Sequence, residues 1–380
     1  MDPETNDAGE QRVEQPTVTR RRLLATGGAT LGAGIGIAGC VGLDDAADES
    51  RTASHETITV TDHVGRTVTV SQPVEELVLL NTRLYWAATL LGIEDRVLAT
   101  TGETEEFPSL ADKPGAGWWR DPNVEQIIEL DPEVLVTRWT GEGAREEIDA
   151  LASKLEPFDI DVVAIELDGL QLDGARLFGQ LVGKADELDD FLEWTHTQVH
   201  QVKNRLEEIP ATDRPLVYCE NQHGDWEGVY AGTVHIAGGR NLLESVVDDL
   251  HELRIGTTKT LDREYVIEQD PEFVLIDDSG GPPVTTGYEV DDPADALALR
   301  EEFMQRSGTE HLSAVQTDEV HTVEFKTLRG EKAWLGVLYL AKLFHPDRFD
   351  DLDPVSVHRE YLEEWLGVPH RGVYLAPAYL

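Results

Sequence analysis

Positive charge is scarce in this chain, and lysine scarcer still. Its 380 residues hold 31 Lys and Arg against 74 Asp and Glu, a formal net charge of −43, and eight of the basic residues are Lys. A field of that sign repels nucleic acid and anionic lipid, which excludes phosphate-backbone binding. The acidic residues are spread along the chain and not gathered in one tail. The charge is therefore read as an adaptation to high salt, which screens self-repulsion, and not as a site. Cysteine is nearly absent too: Cys40 lies beside an N-terminal apolar run and Cys219 in a predicted strand. That spacing excludes a disulfide framework and a thiolate zinc cluster, and Cys219 reads as a small buried hydrophobe. What is present, 40% hydrophobic residues over 380, suffices for two domains with their own cores.

The longest uncharged stretch runs from Leu23 to Leu43 and contains Gly34-Ile35-Gly36-Ile37-Ala38-Gly39, a literal G-x-G-x-x-G. A dinucleotide loop needs a strand before those glycines and a helix after them. Here Arg20-Arg21-Arg22 precede and the acidic Asp44–Ser50 segment follows, so that reading fails. Gly179–Lys184 also fails as a P-loop, being one residue short and followed by Ala185. The uncharged run is nominally long enough to span a bilayer, but its glycines leave a short apolar core that suits a cleaved signal better. Thr19-Arg20-Arg21-Arg22-Leu23-Leu24 resembles a twin-arginine export signal, and Ile37-Ala38-Gly39-Cys40 resembles a lipobox. Residues 1–39 are thus read as signal, Cys40 as the lipidation site and 40–56 as an acidic flexible tether. The implied location is the outer face of the cytoplasmic membrane, reached by the twin-arginine route and held by lipid.

Beyond the tether, Ile58–Asp62 and Thr67–Val70 alternate as strands around a turn at His63–Arg66. Leu77–Leu80 reads as a buried parallel strand and Tyr85–Leu91 as a helix closed by Gly92. Strand and helix signals then alternate to the end, an α/β pattern. Val124–Val136 reads as a short helix, an Asp-Pro break and a buried strand, and Arg263–Leu275 repeats it almost position for position. Two copies so far apart predict two lobes of similar architecture. Between them a helical pattern from Lys184 to Ile209 carries Leu188, Phe191, Leu192, Thr195, Val199, Val202 and Leu206 on one stripe. At 1.5 Å per residue it spans on the order of 40 Å, enough to join two lobes rigidly.

Two α/β lobes, a long connecting helix, a lipobox and the doubled Glu-x-x-x-x-x-Asp-Pro-Glu unit resemble the substrate-binding lipoproteins of ABC importers. The match is to the helical-backbone type that serves iron–siderophore, haem and cobalamin uptake. Thr59–Val70 is similar to that family's opening hairpin, Asn123–Glu133 to its first-lobe helix-to-strand unit, and Tyr339–Phe349 to the tail of its archaeal members. With the acidic, lysine-poor composition, the haloarchaeal type is the nearest in kind. The resemblance implies two Rossmann-like lobes with a ligand cleft between them: an N-terminal lobe over 57–183, a connecting helix over 184–210 and a C-terminal lobe over 211–380. It implies binding without catalysis, no cofactor, a monomer, and a permease with ATPase subunits as partners. It also implies that Glu125 and Glu264, one on each lobe, pair with arginines of the permease. Carboxylates at helix N-termini are favoured by the macrodipole in any case.

In open α/β lobes ligands sit beyond the carboxyl ends of the strands. The loops there offer Arg83 and Tyr85, then Trp118, Trp119 and Arg120, then Arg138 and Trp139. The second lobe offers His223, Trp226 and Tyr230, then Asp277-Asp278-Ser279, then Lys326-Thr327-Leu328-Arg329. Aromatic rings beside arginines suit an anionic metal chelate, because rings cover its apolar faces and guanidinium forks pair with its oxygens. An iron(III)–siderophore chelate is the expected ligand. A corrinoid such as cobalamin also needs aromatic cover, and haem would recruit His223 or Tyr230 as an axial ligand. A rival of another class is a tethered metallohydrolase using His223, Asp225 and Asp277. His196 and His200, four apart on the long helix, lack a third ligand and read as a solvated face. From the charge follows one expectation: the midpoint of thermal unfolding in molar salt lies well above that in dilute buffer, and a salt-independent midpoint would refute the adaptation.

Overall fold

The computed structural model describes residues 56–379 except 103, 105, 168–169, 171, 223–225, 248–252, 254–255 and 279–283. The expected signal, Cys40, residues 41–55 of the expected tether and His223 lie outside the described residues. The described chain begins with an antiparallel hairpin, β1 (Glu56–Thr61) and β2 (Thr67–Gln72). Its turn is closed by the buried Asp62 carboxylate, which accepts from the backbone of Val64 (3.2 Å) and Arg66 (2.8 Å).

The first lobe follows as β3 (Leu77–Leu79), α1 (Tyr85–Leu91), β4 (Val97–Ala99), the short pair β5 (Gly117–Trp118) and β6 (Asp121–Pro122), α2 (Val124–Leu130), β7 (Val134–Thr137), α3 (Ala144–Leu155), β8 (Asp161–Ala164) and α4 (Ala175–Leu181). Its sheet is wholly parallel in the order β4-β3-β7-β8. All of β3 and β7 is buried, as unbroken apolar runs in a two-sided sheet require. Alternation then sorts the side chains: Leu77 and Leu79 enter the main core, while Val78 and Leu80 enter a second core under α2 and α3.

After α5 (Ala185–Leu206) come β9 (Leu216–Asn221), β10 (Glu227–Val229), α6 (Gly232–Ile236), β11 (Arg240–Asn241), β12 (Thr258–Thr260), α7 (Arg263–Gln269), β13 (Phe273–Asp277), α8 (Ala294–Met304), α9 (Ser313–Gln316), β14 (Val320–Val323), α10 (Phe325–Leu328), α11 (Ala333–Phe344), α12 (Pro354–Glu360) and β15 (Leu375–Ala376). The second sheet runs β12-β10-β9-β13-β14-β15, with β11 beside the start of β9. Its centre, β9-β13-β14, is parallel, and β10, β12 and β15 add antiparallel edges. The lobes therefore share a parallel centre and differ at their margins. Cys219 is buried in β9, where desolvation pushes its thiol well above the ordinary range.

The doubled sequence unit is a doubled structural unit. Asn123 and Asp262 cap α2 and α7 by accepting from Gln126 N (3.2 Å) and Glu264 N (2.7 Å). Asp131 (φ 51°) and Asp270 (φ 48°) end the two helices in the left-handed region, a conformation short polar side chains tolerate. The proline after each Asp bars further helix. The glutamate that follows reaches across the sheet: Glu133 accepts from Glu75 N (2.8 Å), at the entry to β3, and Glu272 from Leu216 N (3.1 Å), at the entry to β9. Asp-Pro-Glu thus stops a helix, starts one strand and fastens the start of its neighbour.

On α5 the buried residues are Leu188, Phe191, Leu192, Thr195, Val199, Val202 and Leu206, the whole stripe expected from its period. Phe191 lies within 6.3 Å, centroid to centroid, of Trp86, Trp194, Trp334, Tyr361 and Trp365. Trp86 belongs to α1 and Trp334 to α11, so one aromatic cluster joins both lobes to the connecting helix. Phe191→Ala is expected to cost about 3–5 kcal/mol in denaturant unfolding. Glu193→Ala on the exposed face should stay within about 0.5 kcal/mol, so equal effects would refute the central role of the cluster.

Candidate ligand cleft

Three loops leave the carboxyl ends of the neighbouring parallel strands β3, β7 and β8 and are tied together there. Asn81, fully buried, donates Nδ2 to Ile165 O (2.7 Å) and accepts from Arg83 N (3.2 Å). Arg83 Nη1 donates to Leu167 O (2.7 Å) and lies 3.4 Å from Glu166 Oε1. Arg138 Nε donates to the other oxygen of that carboxylate (3.1 Å). One acid thus bridges two guanidiniums, leaving this loop cluster with a net positive charge. Burial, and then the neighbouring Arg83 charge, lower the Arg138 pKa from its ordinary value.

Trp119 is 7% exposed, with the guanidinium of Arg120 4.4 Å and that of Arg138 4.8 Å from its ring. Trp139 meets it edge-on at 5.7 Å, and Trp118, at 6.5 Å, is 38% exposed. The hairpin of β5 and β6 presents Trp118, Trp119 and Arg120, and opposite Pro122 it requires Gly117 (φ 90°), where a Cβ would sit 2.6 Å from Asp121 O. No other residue fits that approach.

In the second lobe the strand ends carry carboxylates, each engaged. Glu220, fully buried at the end of β9, accepts from Arg306, Tyr218 Oη (2.9 Å) and Trp226 N (3.1 Å). Burial raises its pKa against the pull of Arg306. Asp277, at the end of β13, pairs with Arg329, whose guanidinium lies 4.6 Å from the Phe325 ring. Between the lobes Glu106, on the loop after β4, meets Lys326 Nζ (3.0 Å) and Lys332 Nζ (2.5 Å). Lys332 also holds Glu324 (2.7 Å), and Lys326 lies 3.9 Å from Glu331.

Arg83, Arg138, Trp118, Trp119, Arg120 and Trp139 are therefore gathered on the first lobe, and Arg329 stands at a strand end of the second. Tyr85 is placed otherwise than expected. It is 1% exposed, its ring packs edge-on against Phe107 at 6.0 Å, and its hydroxyl serves Thr101 (2.8 Å), so it supports the loop from within. Trp226 stacks on Tyr218 at 6.4 Å and belongs to the core under α8. Tyr230 is half-buried beside β10, with its phenol pKa raised by burial. Of the hydrolase set, Asp277 is held by Arg329 while His223 and Asp225 lie outside the described residues. Among the described residues no group of three or more His, Cys, Asp or Glu could hold a metal, and no helix is long and apolar enough to cross a membrane. Glu166, Glu106, Arg306 and Lys332 carried no signal in the sequence, since nothing in a chain with 74 acidic residues marks which carboxylates are paired.

Residues 78–327 match the family model described as periplasmic binding protein. The chain belongs to the periplasmic binding protein family. No curated protein sequence matches it. Solved structures with the same fold include the TroA-like periplasmic binding protein FepB from Veillonella parvula, at 21% identity and a TM-score of 0.69 over 84% of this chain and 99% of that one. They include the molybdate periplasmic binding protein MolA of a Haemophilus influenzae ABC transporter, at 17% identity and 0.63 over 83% and 99%. CeuE from Helicobacter pylori, in a nickel–histidine complex, is similar at 15% identity and 0.59 over 82% and 96%. The family and these neighbours are solute-binding proteins, not enzymes, and their two-lobed α/β fold is the one described above.

Proposed function

We propose that this periplasmic binding protein captures an anionic iron(III)–siderophore-type chelate and delivers it to an ABC importer. The observation that carries this reading is the Arg83–Glu166–Arg138 bridge beside Trp118, Trp119, Arg120 and Trp139, at the carboxyl ends of the first-lobe strands. Guanidinium forks suit the paired oxygens of a carboxylate- or catecholate-bearing chelate, and indole faces cover its apolar ligand shell. The cluster is locally positive in a chain of net charge −43, so its sign is opposed to the rest of the surface. The stretch that resembles a twin-arginine signal, with Cys40, fits export and lipid anchoring on the outer face of the cytoplasmic membrane, where the protein would act as a monomer. Glu125 and Glu264, both exposed in the first turns of equivalent helices, fit contact with permease arginines.

A thermal-shift screen of ferric siderophores, haem and corrinoids tests the ligand class, since a tight ligand raises stability by mass action. A ferric chelate should raise the melting temperature, and the double variant Arg83→Ala/Arg138→Ala should weaken its binding by roughly 100-fold or more, the equivalent of two charge-assisted hydrogen bonds. A shift with haem or a corrinoid and none with ferric chelates refutes the siderophore assignment. For docking, Glu125→Arg/Glu264→Arg should abolish uptake in cells while ligand affinity is kept, and normal uptake in that variant would count against it.

A further inference from the structure

Among the described residues, the ion pairs that run from one lobe to the other are the two made by Glu106, to Lys326 and Lys332. They close over a buried site: Lys332 is 3% exposed, Glu324 4% and Glu331 7%. The second lobe alone supplies two lysines and two glutamates, Lys332 with Glu324 and Lys326 with Glu331, a balanced set. When the first lobe is seated, Glu106 adds a third carboxylate to that set. A buried site tolerates an uncompensated charge poorly, and a like charge close by makes it harder to hold.

We propose that seating the first lobe on the second takes up a proton at the Glu106–Lys332–Glu324 site, so that the cleft closes more firmly below neutral pH than above it. The inference rests on reading the chain as a two-lobed binding protein and is independent of which solute it carries.

Glu324 is the carboxylate placed to take the proton. Facing it are Lys332 and Lys326 from its own lobe, Glu106 from the other, and the Thr327 hydroxyl, which donates to it. The Tyr374 ring lies 4.9 Å from Lys332 Nζ, and the backbone of Gly287 closes the remaining side, where a Cβ would stand 3.3 Å from Glu324 Oε1. The Tyr339, Tyr361 and Tyr374 phenols nearby are pushed up, by burial above all, so they remain neutral, and burial and then the Lys332 charge hold the His358 imidazole well below its ordinary value. Burial raises the Glu324 carboxyl, Lys332 pulls it back, and Glu106 pushes it up again, to about 7. Glu106, held by the two lysines, is lowered to about 2. The two carboxylates share Lys332 and titrate as a pair.

With the lobes apart, Glu324 loses the Glu106 charge that pushes its carboxyl up, so its pKa falls. The seated form thus binds more protons near neutrality. Seating is favoured as pH falls toward 7 and is weakened as pH rises through it. The window is bounded below, since a separated Glu106 takes up its own proton near its ordinary value of 4.5 and then has no charge to offer the lysines.

The test is the distance between spin labels at Lys154→Cys and Glu302→Cys, both exposed and one on each lobe, in the full-length chain carrying Cys40→Ser. Cys219 is 1% exposed and out of reach of the label. Measured without ligand in molar salt, the distance should be short at pH 5.5 and longer at pH 8.5. Glu324→Gln, permanently neutral, should stay short at both. Glu106→Gln should give one distance at both, longer than the native protein at pH 5.5. An unchanged native distance overturns the proposal, as does a pH response that survives in both variants, which would belong to the histidines. Should either variant fail to fold, hydrogen exchange of the native protein decides. After correction for intrinsic rates, amides at 106–111 and 325–332 should exchange faster at pH 8.5, and equal rates overturn the proposal.

Discussion

Burial of one stripe of α5 in a core that both sheets share is the constraint on which the rest depends. Phe191 cannot face solvent without exposing Trp86 and Trp334, and those rings belong to different lobes. The helix is therefore not a tether between two independent bodies. It is a common floor, and relative motion of the lobes is limited to what the aromatic cluster allows without opening a void. Interiors packed at crystal-like density resist such voids, which favours small rocking over wide separation. A cleft built this way changes its spacing only by such rocking, so selectivity depends on which side chains stand on the rims.

The strand ends that carry those rims were legible in the sequence, but the contacts made there were not. The strand ends were legible because short apolar runs bounded by polar residues leave little choice of element, and Arg83 and Arg138 follow such runs, whereas Trp118–Arg120 follow a Gly-Ala-Gly loop. Tyr85 follows an apolar run too, yet it begins a helix that is buried at every position, and adjacency to a strand end says nothing of how deep the next helix lies. The stripe on α5 was read without error because a 3.6-residue period over 22 residues is a long-range signal. Glu166 and Glu106 were invisible for the opposite reason. Their importance lies in contacts across 83 and 220 residues of chain, which no local pattern encodes.

The doubled Asp-Pro-Glu unit shows how a repeat can be legible while its purpose is not. Its recurrence marked two lobes, but the roles of its members appear only in three dimensions. The aspartate supplies a left-handed residue, the proline a stop, and the glutamate a hydrogen bond to a strand distant in sequence. Equivalent glutamates two turns earlier, Glu125 and Glu264, are thereby held at equivalent places on the two lobes.

One consequence of the cleft's own pairing concerns the environment. Arg83 and Arg138 already share Glu166, and Arg329 and Arg306 hold Asp277 and Glu220 of their own lobe, so these guanidiniums are engaged before any solute arrives. If the solute is the acidic chelate proposed above, its arrival is an exchange of partners, carboxylate for carboxylate, in which the number of paired ions changes little. Binding by simple charge neutralisation fades as salt rises, because screening and counterions compete with it. Recognition by exchange escapes most of that competition. It leaves shape and the count of well-placed oxygens to decide which solute stays.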